Sequence, residues 1–594
     1  MTLAPWSPSF APHFGGLMRA LPLLPVALSL AFLVAPGCGS ESSGTTTGTG
    51  GGSSSSTTTS TTTGTGGTGG GATGPTLITT DKGPVQGAAL GSTLTFLGIP
   101  FAAPPVGALR WKPPQPAAAW TEARDATKKG PFCPQLNALS PSPMPGTSED
   151  CLTLNVWTPS TAAGAKAPVL FWVHGGGFIL GSGAEATYDG QALSEATGSV
   201  VVTINYRLGP LGFLAHAALA SEDAAYPSAG MYGFEDQRAA LVWAKNNIQA
   251  FGGDPDNLTL FGESAGGIST CLHLISPLSK GLFHRAIIES GPCETGTGIL
   301  EKDAEAQGDD LAKAVGCGDP ATALACLRGK AADELLVALP GKKGLISGDG
   351  VSWFPMVDGL NIPDQPSTLL AAGKIAKVPV ILGSNKNEGT LFFTIGASAK
   401  DDAEYEALMS SIFANQGAKI VAQYPSAKYG SAKDAAAEAF GDGAFVCPTR
   451  TDGARPGQGR CADLSLPLRP RAQGPLPEPG RLPLRRAALH LRQPPPGDHA
   501  RGGRGTGPLQ GDDRILVEAH SLTGDPNSKG ALAWPSFELG SDTHLVLDLT
   551  LSTAERAEEA PPVISGTGSC REQTRRACVG GGPSNPRLRH GCAW

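Results

Sequence analysis

The chain has 594 residues, more than one ordinary domain needs, and a formal net charge of −7. That acidic balance gives no electrostatic footprint for nucleic acid and excludes it as an expected partner. Twelve cysteines are compatible with disulfides if the chain is exported.

Taken from the start, Arg19 precedes an apolar run from Ala20 to Val34 that ends in Ala35-Pro36-Gly37-Cys38. Residues 1–38 read as an export signal; the run is short and holds Pro22 and Pro25, which argues against a stable membrane span. A cysteine behind small residues at the end of such a signal resembles a bacterial lipoprotein site. Cys38 is therefore a candidate for lipidation and a membrane tether, although Pro36 departs from that pattern. The alternative is ordinary cleavage nearby. The expected location is the cell envelope, as a lipoprotein, or the exterior, as a secreted protein. Residues 39–75 are almost all Gly, Ser and Thr, which cannot bury enough apolar surface to offset their ordering entropy, so they read as a flexible linker.

From residue 76 short apolar runs lead into Gly-rich turns. Val169–Val173 runs into His174-Gly175-Gly176-Gly177, Val200–Ile204 into Asn205-Tyr206-Arg207, Leu258–Phe261 into Gly262, and Val378–Leu382 into Gly383. These runs are apolar at consecutive positions, as expected of central strands covered on both faces. Between them Ala240, Leu241, Ala244, Ile248 and Phe251 recur at helical spacing, predicting a helix over 234–251 that stops at Gly252-Gly253. Strands alternating with helices predict an α/β fold with a mainly parallel sheet.

Gly262-Glu263-Ser264-Ala265-Gly266 lies between a predicted strand and a predicted helix, the context a nucleophile elbow requires. Glycines at 262 and 266 leave room for a strained turn that lifts the Ser264 hydroxyl above the sheet. The following helix N-terminus helps stabilise developing negative charge. His174-Gly175-Gly176-Gly177-Phe178 also follows a strand, and its glycines let backbone N–H groups face an oxyanion unobstructed. A dinucleotide loop fits less well, because these glycines do not open a helix. His174 has no ligand partner at metal spacing, and Asp254-Pro255-Asp256 lacks the glycine a calcium loop needs.

Five segments resemble the type-B carboxylesterases, the family of cholinesterases and bacterial p-nitrobenzyl esterases. They are Phe96–Ala102 through Trp111, Glu149–Asn155, His174–Phe178, Asn205–Gly209, and Phe251–Pro255 through Gly267. The resemblance implies an α/β-hydrolase fold, a small-molecule ester substrate, and no metal or organic cofactor. It implies that Ser264 forms an acyl-enzyme and that Gly176, Gly177 and Ala265 supply the oxyanion-hole N–H groups. Glu388, just past a predicted strand, would be the acid. It further implies disulfides Cys133–Cys151 and Cys317–Cys326, and structural ion pairs Arg110–Glu149 and Arg207–Asp236. Cys271 and Cys293 are expected as buried free thiols.

The resemblance stops at Arg450. The family places its catalytic His after the acid, in wording close to Phe-His-x-x-Glu-Leu-Pro-Phe, and no such segment follows. His490, His499, His520 and His544 lie in that half of the chain without the matching neighbours; the base is unassigned, with His499 as the candidate. From Arg450 to Arg514 there is no Phe, Tyr, Trp, Val, Ile or Lys, against 12 Arg and 11 Pro, so the segment cannot build strands. Read one base later, codons for the residues from Arg481 onward permit AFHSAELPFIFGN, and those from Ile515 permit SWWKLT. The ordinary reading then resumes at Thr523-Gly524-Asp525-Pro526-Asn527. Codons for Pro562–Thr567 permit CDFWD in the other offset. The expectation is an esterase domain over 76–552, frameshifted and disordered over 450–521, with an aberrant tail over 553–594. A catalytically silent esterase-fold binding or adhesion module is the competing reading. An Arg-rich anion-binding protein is a third, resting on the displaced segment alone.

Overall fold

A computed structural model of the chain describes residues 72–449, apart from 139, 141, 225, 294–299, 340–351, 396–397 and 414–415, with the backbone of short strands between 543 and 592. The 1–38 segment with Cys38, the linker up to Gly71 and the 450–521 segment with His499 lie outside the described residues.

Nine strands form one mixed sheet: β1 (Ala88–Leu90), β2 (Thr93–Pro100), β3 (Thr153–Thr158), β4 (Ala167–Val173), β5 (Val200–Ile204), β6 (Gly253–Glu263), β7 (Arg285–Glu289), β8 (Val380–Gly383) and β9 (Gly591–Cys592). Their order is β9-β8-β7-β6-β4-β5-β3-β2-β1. The neighbours from β9 through to β5 run parallel and those from β5 to β1 antiparallel, so the predicted parallel core is present with an antiparallel flank. A strand of the 553–594 tail thus supplies one edge.

The runs that read as doubly covered strands are covered on both faces. Val169, Phe171 and Val173 join one large apolar cluster, while Leu170 and Trp172 join another. The alternation repeats at Val200, Val202 and Ile204 against Val201, and at Ala286 and Ile288 against Ile287. This is the period-two pattern of a pleated strand between two layers. The predicted helix is α1 (Tyr232–Asn247), prolonged by a tight turn over Ile248–Phe251 and ended by Gly252 at φ 82°. A third cluster, centred on Phe393, Tyr405, Met409 and Phe440, belongs to a helical region built from α3 (Glu388–Ile395), α4 (Asp402–Ile412) and α5 (Ala432–Gly441), numbered after α2 (Ala265–Ile275) behind Ser264.

Arg110 meets Glu149 through Nε–Oε2 at 2.8 Å and Nη2–Oε1 at 2.5 Å, and Arg207 meets Asp236 through Nε–Oδ2 at 2.7 Å and Nη2–Oδ1 at 2.8 Å. Cys133 is joined to Cys151 and Cys317 to Cys326. One expectation is corrected: Cys271 and Cys293 are not separate thiols but a third disulfide, with Cα atoms 5.2 Å apart. Cys271 lies on α2 and Cys293 just beyond β7, and packing α2 over that strand end brings together two residues that spacing alone does not pair.

Candidate active site

Ser264 occupies the turn between β6 and α2 with φ 55° and ψ −121°, a region that costs a non-glycine residue of order 1–3 kcal/mol. The surroundings hold it there. Its N–H donates to the Glu289 carbonyl at 2.9 Å, and its carbonyl accepts from Ile268 N–H at 2.8 Å. A Cβ at position 262 would come 2.5 Å from the Gly266 carbonyl, and one at 266 would collide with the Val173 carbonyl oxygen. Both glycines are therefore required by close backbone approach.

The glycine loop after β4 lies directly against this turn. A Cβ on Gly175 would fall 3.2 Å from the Ser264 Cβ and 2.9 Å from a Glu263 carboxyl oxygen. Gly176 and Gly177 have φ 106° and 60°, and no described protein acceptor engages their N–H groups. Ala265 is the first residue of α2, where backbone N–H groups have no partner within the helix. The loop is braced from below, since Tyr206 donates its hydroxyl to the His174 carbonyl at 3.0 Å and stacks on the His174 ring at 4.3 Å.

Glu388 begins α3, past the end of β8, and is 9% exposed. Its Oε1 accepts the Asn385 backbone N–H at 2.6 Å and its Oε2 the Asn385 side-chain amide at 3.4 Å. Burial raises its carboxyl above the ordinary value, opposed by hydrogen bonds from Ser290 and Asn385. Ser290 was not singled out from the sequence, nor was β7. The available signal was Ala286-Ile287-Ile288 running into Ser290-Gly291, masked by charges at Arg285 and Glu289. Yet the end of β7 is the floor of the site: Glu289 holds the Ser264 backbone, and Ser290 holds Glu388.

Four His side chains are described, and each is engaged elsewhere. His174 Nδ1 pairs with the Gly175 carbonyl at 2.8 Å, and burial lowers its ring to about 4. His216 accepts from Ala218 N–H, and His284 accepts from Leu258 N–H. His273 pairs with Ser279 and Gln237. Among the described residues none hydrogen-bonds Ser264 or Glu388.

A strained serine, glycine N–H groups with no described protein acceptor and a buried glutamate make an arrangement that can support acyl transfer to a serine. Comparison with known proteins agrees. The profile of the carboxylesterase family matches residues 74–452. Para-nitrobenzyl esterase of Bacillus subtilis (strain 168) is 39% identical over 358 residues, covering 59% of this chain and 70% of its own. Fumonisin B1 esterase of Sphingopyxis macrogoltabida is 40% identical over 370 residues, covering 62% and 66%. Cholinesterase of Mus musculus is 40% identical over 341 residues, covering 54% of this chain and 55% of its own. With its elbow, its glycine loop and eight of the nine sheet strands inside the matched residues, the chain belongs to the carboxylesterase family of ester hydrolases.

Proposed function

We propose that this is an exported carboxylic-ester hydrolase working through an acyl-enzyme on Ser264. The observation that carries the reading is the packing of the glycine loop against the Ser264 turn, with a Gly175 Cβ only 3.2 Å from the Ser264 Cβ. Ser264 Oγ attacks the ester carbonyl carbon, its proton passes to a base, and the carbonyl oxygen becomes an oxyanion. The N–H groups of Gly176, Gly177 and Ala265 receive that oxyanion. Collapse expels the alcohol with the proton returned by the base; water then repeats the sequence and releases the acid. Glu388 orients the base and stabilises its cation. The base we assign is the His that the shifted frame permits across the Pro483 and Leu484 codons, in place of which the ordinary reading has no matching segment. Cys38 carries a lipid, and the 39–75 linker tethers the enzyme to the membrane.

A fluorophosphonate probe tests the assignment on protein expressed with the displaced frame restored: labelling is expected, and labelling that persists in Ser264→Ala refutes it. The unaltered chain is expected to hydrolyse p-nitrophenyl acetate little above background; efficient turnover would mean another group serves as base. Mass spectrometry of the mature N-terminus tests the tether, which an unmodified or absent Cys38 rules out. A second reading is a silent esterase-fold binding module, which has no need to keep Ser264, the glycine loop and Glu388 together. No labelling of the restored protein would favour it.

A further inference from the structure

Behind Ser264 three carboxyl side chains follow one another across neighbouring elements. Glu263 ends β6, Glu289 ends β7 and is its direct register partner, and Glu388 starts α3 beyond β8. By strand alternation Glu263 continues the face of Phe261, and Glu289 that of Ile287, both members of one apolar cluster. The two carboxyls therefore point the same way from adjacent parallel strands.

Their surroundings differ. Glu388 accepts from the Asn385 N–H, the Asn385 amide and Ser290. Glu289 is 7% exposed, and neither of its carboxyl oxygens has a hydrogen-bond partner among the described residues. An isolated carboxylate in such a place costs several kcal/mol, and a buried acid escapes that cost by keeping its proton. The titratable groups that interact with Glu289 are Glu263 and Tyr188, whose side chain packs on the same apolar cluster, while Glu185 acts on Tyr188 and Glu388 on Glu263. No described cation acts on Glu289. Burial first, then the Glu263 charge, raises Glu289; burial first, then Glu388, raises Glu263.

We propose that Glu289 works as a neutral carboxylic acid, a positioning residue that keeps a second negative charge from forming beside Glu263. Were Glu289 ionised, its charge would add to that of Glu388 behind Glu263, which lies against Gly175 and the Ser264 turn where an oxyanion must form. The nucleophile therefore works near the charge of Glu388 without the added charge of Glu289. Raising the pH until Glu289 ionises slows attack by Ser264. The inference rests on the esterase reading only for this kinetic consequence.

Infrared spectroscopy of the full chain with 13C-labelled glutamate reads the proton directly. At pH 7 the wild type should show a protonated-carboxyl C=O band. One carboxyl's share of it should be lost in Glu289→Gln, and that share should remain in Glu263→Gln. A wild-type spectrum without the band, or a band undiminished in Glu289→Gln, overturns the proposal. If Glu289→Gln does not fold, Glu263→Gln combined with Glu235→Gln decides alone, since loss of the whole band there leaves no proton on Glu289 and also overturns it. Fluorophosphonate labelling against pH, on frame-restored protein, is the second readout. The wild-type rate should fall at alkaline pH, and Glu289→Gln, which has no proton to lose, should move or abolish that fall; an unchanged alkaline limb overturns the kinetic consequence. No labelling at any pH would sink the esterase reading and leave the infrared result standing.

Discussion

Removing Asp236 alone should damage the protein far more than removing it together with Arg207. The Asp236 side chain is 0% exposed and that of Arg207 4%. Asp236 accepts Arg207 Nε at 2.7 Å, Nη2 at 2.8 Å and the Arg207 backbone N–H at 3.0 Å. Burial still raises the Asp236 carboxyl above its ordinary value despite the guanidinium, so desolvation offsets much of the attraction. Asp236→Ala strips the guanidinium of its hydrogen-bonded counter-charge, and Arg207 Nη1 already has no hydrogen-bond partner among the described residues. An uncompensated buried charge of this kind costs about 3–5 kcal/mol. Replacing both residues, as Arg207→Met with Asp236→Leu, removes the charge as well as the pair and should stay within about 1–2 kcal/mol of wild type. Urea unfolding at neutral pH, compared at matched slopes, measures both. A loss below about 1 kcal/mol for Asp236→Ala, or an equal loss for the double variant, would show that the pair is not held in a low-dielectric interior.

Gly266→Ala should lower fluorophosphonate labelling of Ser264 in frame-restored protein by more than about tenfold, because the new Cβ collides with the Val173 carbonyl and the turn cannot close; labelling at the wild-type rate would contradict the packing. Glu235 is pushed up to about 7, chiefly by burial, from an ordinary 4.5. The folded chain holds a proton there that the unfolded chain releases, so this contribution is full below about 4.5 and is lost as pH rises through about 7. Glu235→Gln should therefore flatten the fall in urea midpoint between pH 5 and pH 7, and an equal fall in both proteins would refute the assignment. Peptide mapping without reductant should recover Cys271 linked to Cys293, besides Cys133–Cys151 and Cys317–Cys326; alkylation of Cys271 in the native protein would exclude the third bridge.

Local features of the site were legible before any coordinates. The Ser264 turn announces itself because its tight geometry demands glycines at 262 and 266, and the loop after β4 by its run of three glycines directly behind a strand. Strands β4 and β5 were legible because a doubly covered strand is apolar at consecutive positions. Strand β7 was not, since Arg285 and Glu289 bracket only three apolar residues, and with it went Ser290 and the carbonyl that anchors Ser264.

Sequence alone determined the short motifs that neighbouring residues make: the elbow, the glycine loop, a glutamate at a strand end, and the point near Arg450 where the family wording stops, close to the residue 452 limit of the family match. Tertiary structure decided what depends on which elements lie side by side. The order of strands puts β7 between β6 and β8, so Glu289 meets Glu263 and Ser290 reaches Glu388. Packing of α2 over the end of β7 closes Cys271 on Cys293. These pairings join residues 22 or more positions apart, and a short-range pattern cannot encode them, because contact at that separation is set by how the whole sheet is ordered and covered.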